Sequence, residues 1–187
     1  PSHIMAMGVG GAGGNAIEHM WQMQIEGVNL AAANTDQDDL DKLLISKENR
    51  VLLGPGLGAG NDPAEGARLC RESLDKVRDL FVARGTKMLF LAAGMGAGTG
   101  TGATPIIAEL AQEMGILTVG VVTRPFNFEG KKRIEQANAG IAALREQVDA
   151  LVVIPNERLK LVSEQKISFQ NAFEVADSVL HQAVQSI

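Results

Sequence analysis

Residues 87–102 read KMLFLAAGMGAGTGTG, an apolar run followed by a loop rich in glycine. The apolar run has no polar alternation, which is typical of a strand covered on both faces of a parallel sheet. Glycines at the end of such a strand let a ligand approach the backbone N–H groups. A helix that follows the loop presents unpaired amides at the positive end of its dipole. This stretch therefore predicts a parallel α/β sheet with an anion-binding edge.

The rest of the chain repeats this pattern, since apolar runs rich in Val, Ile, Leu and Ala alternate with longer amphipathic stretches. The apolar runs predict strands at 4–9, 28–33, 50–53, 87–92, 117–122 and 150–154. The amphipathic stretches predict helices at 13–24, 37–44, 63–82, 101–113, 129–146 and 168–187. We expect an α/β fold of the Rossmann-like type, a three-layer sandwich with a mostly parallel sheet that ends in a long helix.

Composition narrows the classes of partner. The chain has 187 residues, of which 45% are hydrophobic and 21% charged, and its net charge is −5. No apolar run approaches the ~18 residues of a membrane helix, so we expect a water-soluble, cytoplasmic protein without direct membrane insertion. Basic residues cluster only at 131–133, which argues against a nucleic-acid partner. Cys70 is the single cysteine, which excludes an internal disulfide and a cysteine-built zinc site.

Two further glycine loops follow predicted strands. Residues 8–15 read GVGGAGGN and residues 54–60 read GPGLGAG. The first loop also satisfies the dinucleotide fingerprint G-x-G-x-x-G, and Asp36 lies near the spacing of a ribose-binding acid, so a NAD-binding oxidoreductase stays open. A lone loop of this kind could equally serve turns and packing. No G-x-x-x-x-G-K-[ST] motif occurs, so phosphate charge would be met by amides, a helix dipole and a metal ion.

The second loop carries a more specific signal. Residues 96–102, GAGTGTG, closely resemble the glycine-rich signature of the tubulin/FtsZ family of GTPases. Four further segments resemble loops of the FtsZ branch in the right order: NTD at 34–36, GLGAG at 56–60, TRPFNFEGKKR at 123–133 and IPNE at 154–157. The resemblance covers the chain from about Ile4 onward. It implies a guanine-nucleotide-binding domain of a cytoskeletal GTPase that polymerises into the bacterial division ring.

The resemblance also implies site residues, with GTP or GDP as ligand and Mg²⁺ beside it. The implied nucleotide-binding positions are Gly11, Ala12, Gly13, Gly14, Asn15, Asn34, Asp36, Ala59, Gly60, Gly94, Gly96, Ala97, Gly98, Thr99, Gly100, Thr101, Pro125, Glu129, Arg133, Asn156, Phe173 and Asp177. The first two glycine loops would hold the phosphates, and Asn15 would also reach toward the base. Asn34 and Asp36 would border the phosphates and the metal, while Ala59 and Gly60 would sense the γ-phosphate.

The remaining implied roles concern the nucleoside. Glu129 and Arg133 would bind ribose and phosphate, although their i,i+4 spacing also suits an ordinary helix-surface ion pair. Asn156 and Asp177 would read the guanine edge while Phe173 stacks on the base. A carboxylate at Asp177 can accept from N1–H and the exocyclic amine of guanine, which adenine does not offer. By pattern alone, Phe173 would more often be a core residue and Asp177 a solvated charge.

Three positions depart from the common family pattern. Ala12 and Ala97 stand where relatives commonly have glycine, which adds a methyl group close to the phosphates. Asp62 stands where many have asparagine. We expect a bound cation to offset the negative charge that Asp62 adds, so Asp62 is a candidate metal ligand beside Asp36, whose place near the metal the resemblance implies.

The resemblance implies that GTP is hydrolysed to GDP and phosphate at sites completed between subunits of a filament, by an acidic loop beyond the long central helix. The apolar spacing of that helix continues from 168 to Ile187 without a terminator, so we expect it to be truncated. We expect residues 1–3 to be a cloning remnant, 4–167 the GTP-binding domain and the C-terminal domain to be absent. No catalytic residue is expected within the fragment, so it should bind nucleotide but hardly hydrolyse it.

In the full-length protein, the resemblance implies self-association into filaments at the mid-cell ring. Division-machinery proteins and membrane tethers would bind through regions outside these residues. A non-catalytic scaffold that merely kept the fold is a third hypothesis, but it would predict decayed loops, and the glycine loops are intact.

Overall fold

The computed structural model describes residues 3–155 and Asn171. The six strands are β1 Ile4–Val9, β2 Asn29–Asn34, β3 Arg50–Leu52, β4 Met88–Gly94, β5 Leu117–Arg124 and β6 Ala150–Pro155. The helices are α1 Gly10–Gln22, α2 Gln37–Asp41, α3 Pro63–Glu72, α4 Leu74–Ala83, α5 Gly98–Glu113 and α6 Lys131–Arg145. All six predicted strands are confirmed, each to within two residues at either end. The predicted helix at 168–187 lies outside the described residues.

The strands form one parallel sheet in the order β3-β2-β1-β4-β5-β6. The first strand has β2 on one side and β4 on the other, so the chain reverses its direction of winding between β1 and β4. Val9 pairs with Ala33 of β2 and with Ala93 of β4. This register brings the loops after these three strands to the same edge of the sheet. An open α/β sheet binds ligands at such a point.

Side chains of β1 alternate between two hydrophobic cores, as expected for a strand that is covered on both faces. Met5 and Met7 belong to a core built with residues of α3, α4, α5 and α6. Ala6 belongs to the opposite core, which α1 and α2 help to form. The described residues therefore confirm the three-layer α/β arrangement. Among them, no helix is long and apolar enough to cross a bilayer.

The single helix predicted at 63–82 is wrong, because Ser73 divides it into α3 and α4. The Ser73 hydroxyl accepts a hydrogen bond from the backbone N–H of Gly54, at 2.9 Å. Apolar periodicity continues across the break, since Leu69, Val77 and Leu80 are all buried. A tertiary contact thus interrupts the helix at Ser73, although the spacing of apolar residues predicts a continuous helix there.

The predicted starts of α1 and α5 are also wrong, because both helices begin three residues earlier, inside the glycine loops. Glycine has poor helix propensity, which is why the sequence favoured later starts. In α5 the glycines are required by a neighbouring helix. A Cβ at Gly102 would lie 2.0 Å from the carbonyl oxygen of Pro63, and a Cβ at Gly66 would lie 2.4 Å from that of Gly98. Helices α3 and α5 therefore touch through their backbones.

Two other helices are shorter than predicted. Helix α2 ends at Asp41 rather than at 44. Helix α6 begins at Lys131, because Asn127–Glu129 forms a separate 3-10 turn and Gly130 takes a φ of +103°. Glu129 therefore precedes α6 instead of opening it.

Two residues that the sequence singles out lie away from the glycine loops. Cys70 is buried between α3 and α5, and burial raises the pKa of its thiol to about 12. Trp21, the only tryptophan, is 42% exposed near the end of α1.

Candidate functional site

A cavity of about 440 Å³ lies at the carboxyl edge of the sheet, where the glycine loops meet. Its residues come from the ends of β1, β2, β4 and β5 and the loops that follow them, from the loop at 57–61, from the first turns of α1, α2 and α5, and from residue 133 of α6. Fourteen residues predicted for the site line it: Gly11, Ala12, Asn34, Asp36, Ala59, Gly60, Gly94, Ala97, Gly98, Thr99, Gly100, Pro125, Glu129 and Arg133. The structure therefore brings together residues that are spread over more than 120 positions of the sequence.

A smaller cavity of about 180 Å³ adjoins the first. Gly11 and Asn34 line both cavities, whereas Gly14 and Asn15 line only the smaller one. The family resemblance implies a second role for Asn15, toward the base of the nucleotide. Its position in the adjoining cavity is compatible with that assignment.

Three predicted residues line neither of these cavities and instead support the loops. A Cβ at Gly13 would lie 2.2 Å from the carbonyl oxygen of Ala92, so glycine lets α1 lie directly on β4. The Thr101 hydroxyl accepts a hydrogen bond from the N–H of Gly96, at 2.7 Å. Gly96 has a φ of +105°, a value that other residues rarely adopt. The hydrogen bond between Gly96 and Thr101 holds the second glycine loop in its shape.

Asn156, Phe173 and Asp177 lie outside the described residues, so their predicted contacts with guanine stay predictions. Asp62 does not line either cavity. Its carboxylate accepts from the N–H of Ala64 at 3.0 Å and caps α3. Among the described residues, no group of three or more His, Cys, Asp or Glu is arranged to hold a metal ion.

The first turn of α5 supplies the main electrostatic feature of the larger cavity. Helix α5 begins at Gly98, and no side chain caps its N-terminus. The first amides of a helix have no acceptor within the helix, and the helix dipole places partial positive charge at them. Gly98, Thr99 and Gly100 all line the cavity. Their amides form a ready site for an anion.

Arg133 supplies a full positive charge at the same cavity. Its guanidinium lies 3.2 Å from the carboxylate of Glu129 and donates to the side-chain oxygen of Asn61 at 3.4 Å. Glu129 also accepts from the N–H of Phe126, at 2.7 Å. Both members of the ion pair are partly exposed, so the pair itself adds little stability. Its effect is to hold Arg133 at the wall of the cavity.

Nine residues that line the larger cavity were not predicted from the sequence: Val9, Gly10, Thr35, Asp39, Leu57, Gly58, Asn61, Met95 and Thr123. Gly58 and Thr35 lie within segments that were quoted for the family resemblance but were given no role. Asp39 donates its N–H to the carboxylate of Asp36, as a helix-capping pattern would have indicated. Asn61 has a φ of +58° without being glycine, and no sequence signal marks it.

Comparison with known proteins identifies this arrangement. The family model described as "Tubulin/FtsZ family, GTPase domain" matches residues 3–164. The chain belongs to the tubulin/FtsZ family. This match agrees with the resemblance of the glycine loops and gives no support to the alternative of a NAD-binding oxidoreductase.

Relatives within the tubulin/FtsZ family include the cell division protein FtsZ of Coxiella burnetii, which is 50% identical over 192 residues. The alignment covers 100% of this chain and 48% of that protein. The cell division protein FtsZ of Wigglesworthia glossinidia brevipalpis is 48% identical, covering 98% of this chain and 48% of its own length. The empty FtsZ dimer of M. jannaschii superposes with a TM-score of 0.80 at 38% identity, covering 98% of this chain and 53% of that one. This chain spans about half the length of the curated relatives it matches.

Proposed function

We propose that this chain is the guanine-nucleotide-binding domain of a filament-forming GTPase of bacterial cell division. The cavity at the switch point of the sheet carries the proposal, because three glycine loops, a helix N-terminus and Arg133 converge on it. The family match to a GTPase domain supports the choice of ligand. The domain would extend over 4–167, and 168–187 would begin the long central helix.

The phosphates would lie against backbone rather than against a P-loop lysine. The amides of the first turn of α5 would donate to phosphate oxygens, and the helix dipole would favour their negative charge. Arg133 would supply a charge-assisted hydrogen bond from its side chain, and Glu129 would keep its guanidinium oriented. Preformed donors of this kind need little rearrangement when an anion enters.

Mg²⁺ would be held at this site partly by the phosphates of the bound nucleotide. This ion is usually held by one or two carboxylates together with substrate phosphates and water, so a dedicated cage of carboxylates is not required. Asp36 and Asp39 line the cavity and would border the metal. Asp62 is a weaker candidate than the sequence indicated, because its carboxylate caps α3. The metal would neutralise phosphate charge beside these acids.

Selectivity for guanine is the first test of the proposal. We expect GTP and GDP to raise the thermal midpoint of the 187-residue chain and ATP and NAD to leave it nearly unchanged. A ligand at one hundred times its Kd stabilises the folded state by about 2.7 kcal/mol. Differential scanning fluorimetry with the four ligands at equal concentration measures this. Stabilisation by NAD alone would reject the proposal in favour of the dinucleotide-binding alternative.

The second expectation is that the chain binds GTP but hardly hydrolyses it. We propose that the catalytic acidic loop lies beyond these 187 residues and acts on the nucleotide of a neighbouring subunit. The chain alone should therefore release less than one phosphate per bound GTP over a long incubation, because the acids that line the larger cavity, Asp36, Asp39 and Glu129, are proposed to border the metal or bind the nucleotide rather than to activate water. A colorimetric phosphate assay measures this. Sustained release of many phosphates per chain would contradict the expectation.

The proposal also concerns the location, assembly and activity of the full-length protein. We propose that the full-length protein is cytoplasmic, assembles into filaments at mid-cell, and is a GTPase that yields GDP and phosphate. Division-machinery proteins and membrane tethers would bind through regions outside these residues, and no nucleic-acid partner is proposed. The similarity to FtsZ relatives supports this setting.

A further inference from the structure

Thr35 joins three of the loops that surround the larger cavity, and its type and position in the sequence predict no role for it. It follows the end of β2 and is 1% exposed. Its hydroxyl oxygen lies 2.6 Å from that of Thr99 in the first turn of α5. Its carbonyl oxygen accepts from the N–H of Gly58 in the third glycine loop, at 3.0 Å. One buried residue thus connects the loops after β2, β3 and β4.

Two hydroxyl groups that share one hydrogen bond leave one proton for another acceptor, and both of these residues line the larger cavity. Either hydroxyl can donate to the other. If Thr35 donates to Thr99, the proton of the Thr99 hydroxyl is free to be donated onward. Thr99 is the more exposed of the two, at 9%, and lies beside the unpaired amides of α5. An anionic oxygen in the cavity would accept from Thr99, and this favours the arrangement in which Thr35 donates to Thr99.

We infer that Thr35 is a positioning residue for phosphate, acting through Thr99. The hydroxyl of Thr35 donates to Thr99, and Thr99 donates to a phosphate oxygen of the nucleotide. Hydrogen bonds in a chain polarise one another, so the first bond strengthens the second. The inference rests on the proposed nucleotide site and adds a residue that does not itself need to touch the ligand.

The structure offers a matched control for this inference in Thr86. Its hydroxyl is also buried, but it has no hydrogen-bond partner among the described residues. Thr86 lies just before β4, at the edge of the sheet opposite to the cavity. Thr35→Val and Thr86→Val therefore remove the same group from two buried sites, of which only one belongs to the proposed relay.

The test measures the Kd of GTP and GDP for the 187-residue chain by isothermal titration calorimetry. We expect Thr35→Val to weaken both by about 3- to 10-fold, the range for loss of one hydrogen bond. Thr35→Ser should bind within about twofold of wild type, because it keeps the hydroxyl, and Thr86→Val should bind like wild type. Thermal midpoints without nucleotide show that each variant folds. If Thr35→Val does not fold, Thr35→Ala takes its place.

A double-mutant cycle separates the relay from a general loosening of the loops. Because Thr35 acts through Thr99, adding Thr35→Val to Thr99→Val should cause no further loss of affinity. Multiplicative losses in the double variant, or an unchanged affinity in Thr35→Val, would overturn the inference while leaving the nucleotide site intact. If the wild-type chain bound neither GTP nor GDP, the proposed function would fail, and the inference with it.

Discussion

Replacing Gly102 with alanine is expected to lower the free energy of unfolding by about 3 kcal/mol, the upper part of the range for overpacked sites. A Cβ at this position would lie 2.0 Å from the carbonyl oxygen of Pro63 and 2.8 Å from the nitrogen of Ala67. Both neighbours are backbone atoms of α3, so no change of rotamer can relieve the clash. Helices α3 and α5 would have to separate, which would open the core between them.

The matched control is Gly14→Ala, which places the same methyl group on another helix. A Cβ there would meet only the methyl groups of Leu43, at 3.8 and 4.0 Å, which is ordinary van der Waals contact. Alanine is the better helix former, so this variant should be unchanged or more stable by up to about 1 kcal/mol. Urea denaturation followed by circular dichroism measures both. Equal stabilities for the two variants would mean that the contact between α3 and α5 does not constrain the fold.

Arg133→Ala is expected to weaken GTP binding by about 10- to 100-fold, the range for loss of a hydrogen bond to a charged group. Arg133 is the lining residue that supplies positive charge to the larger cavity, and its guanidinium is held by Glu129 and Asn61. Its loss would remove the charge-assisted hydrogen bond from a side chain to the phosphates and leave the backbone amides, the Thr99 hydroxyl and the metal to hold them. Titration with a fluorescent GTP analogue at two salt concentrations measures the effect. The loss should be greater at low salt, where charge attraction is less screened.

Lys132→Ala is the control for Arg133→Ala, because it removes the same charge from the preceding residue. Lys132 is exposed and is not among the residues that line the larger cavity. The affinity of this variant for GTP should stay within about twofold of wild type, as expected for an exposed charge that solvent and salt screen. If the two variants lost affinity equally, the effect of Arg133 would come from net charge rather than from its place at the cavity wall.

Much of the fold could be predicted because it depends on local sequence. Apolar runs without polar alternation predict buried parallel strands, and the run at 88–94 extends only two residues beyond its predicted end. Glycine loops at strand ends predict a ligand-binding edge, and the cavity lies there. The family resemblance then assigned roles to single residues, which no composition or spacing could have done.

The remainder could not be predicted because it depends on contacts between distant segments. Ser73 breaks a helix through a hydrogen bond to Gly54, nineteen positions away. Helix α5 begins among glycines because α3 lies against it, although helix propensity favours a later start. The Thr35 and Thr99 hydroxyls meet across 64 positions. Asn61 contacts Arg133 across 72, and neither residue type signals its partner.

The single tryptophan provides a spectroscopic reporter of folding. The sequence contains no tyrosine, so ultraviolet emission comes almost entirely from Trp21. Helix α1 places this indole roughly 17 Å along the helix axis from Gly10 at the cavity, given a rise of about 1.5 Å per residue. The indole is 42% exposed in the folded chain, so its fluorescence should change on unfolding, and one signal can compare the stability of every variant without nucleotide.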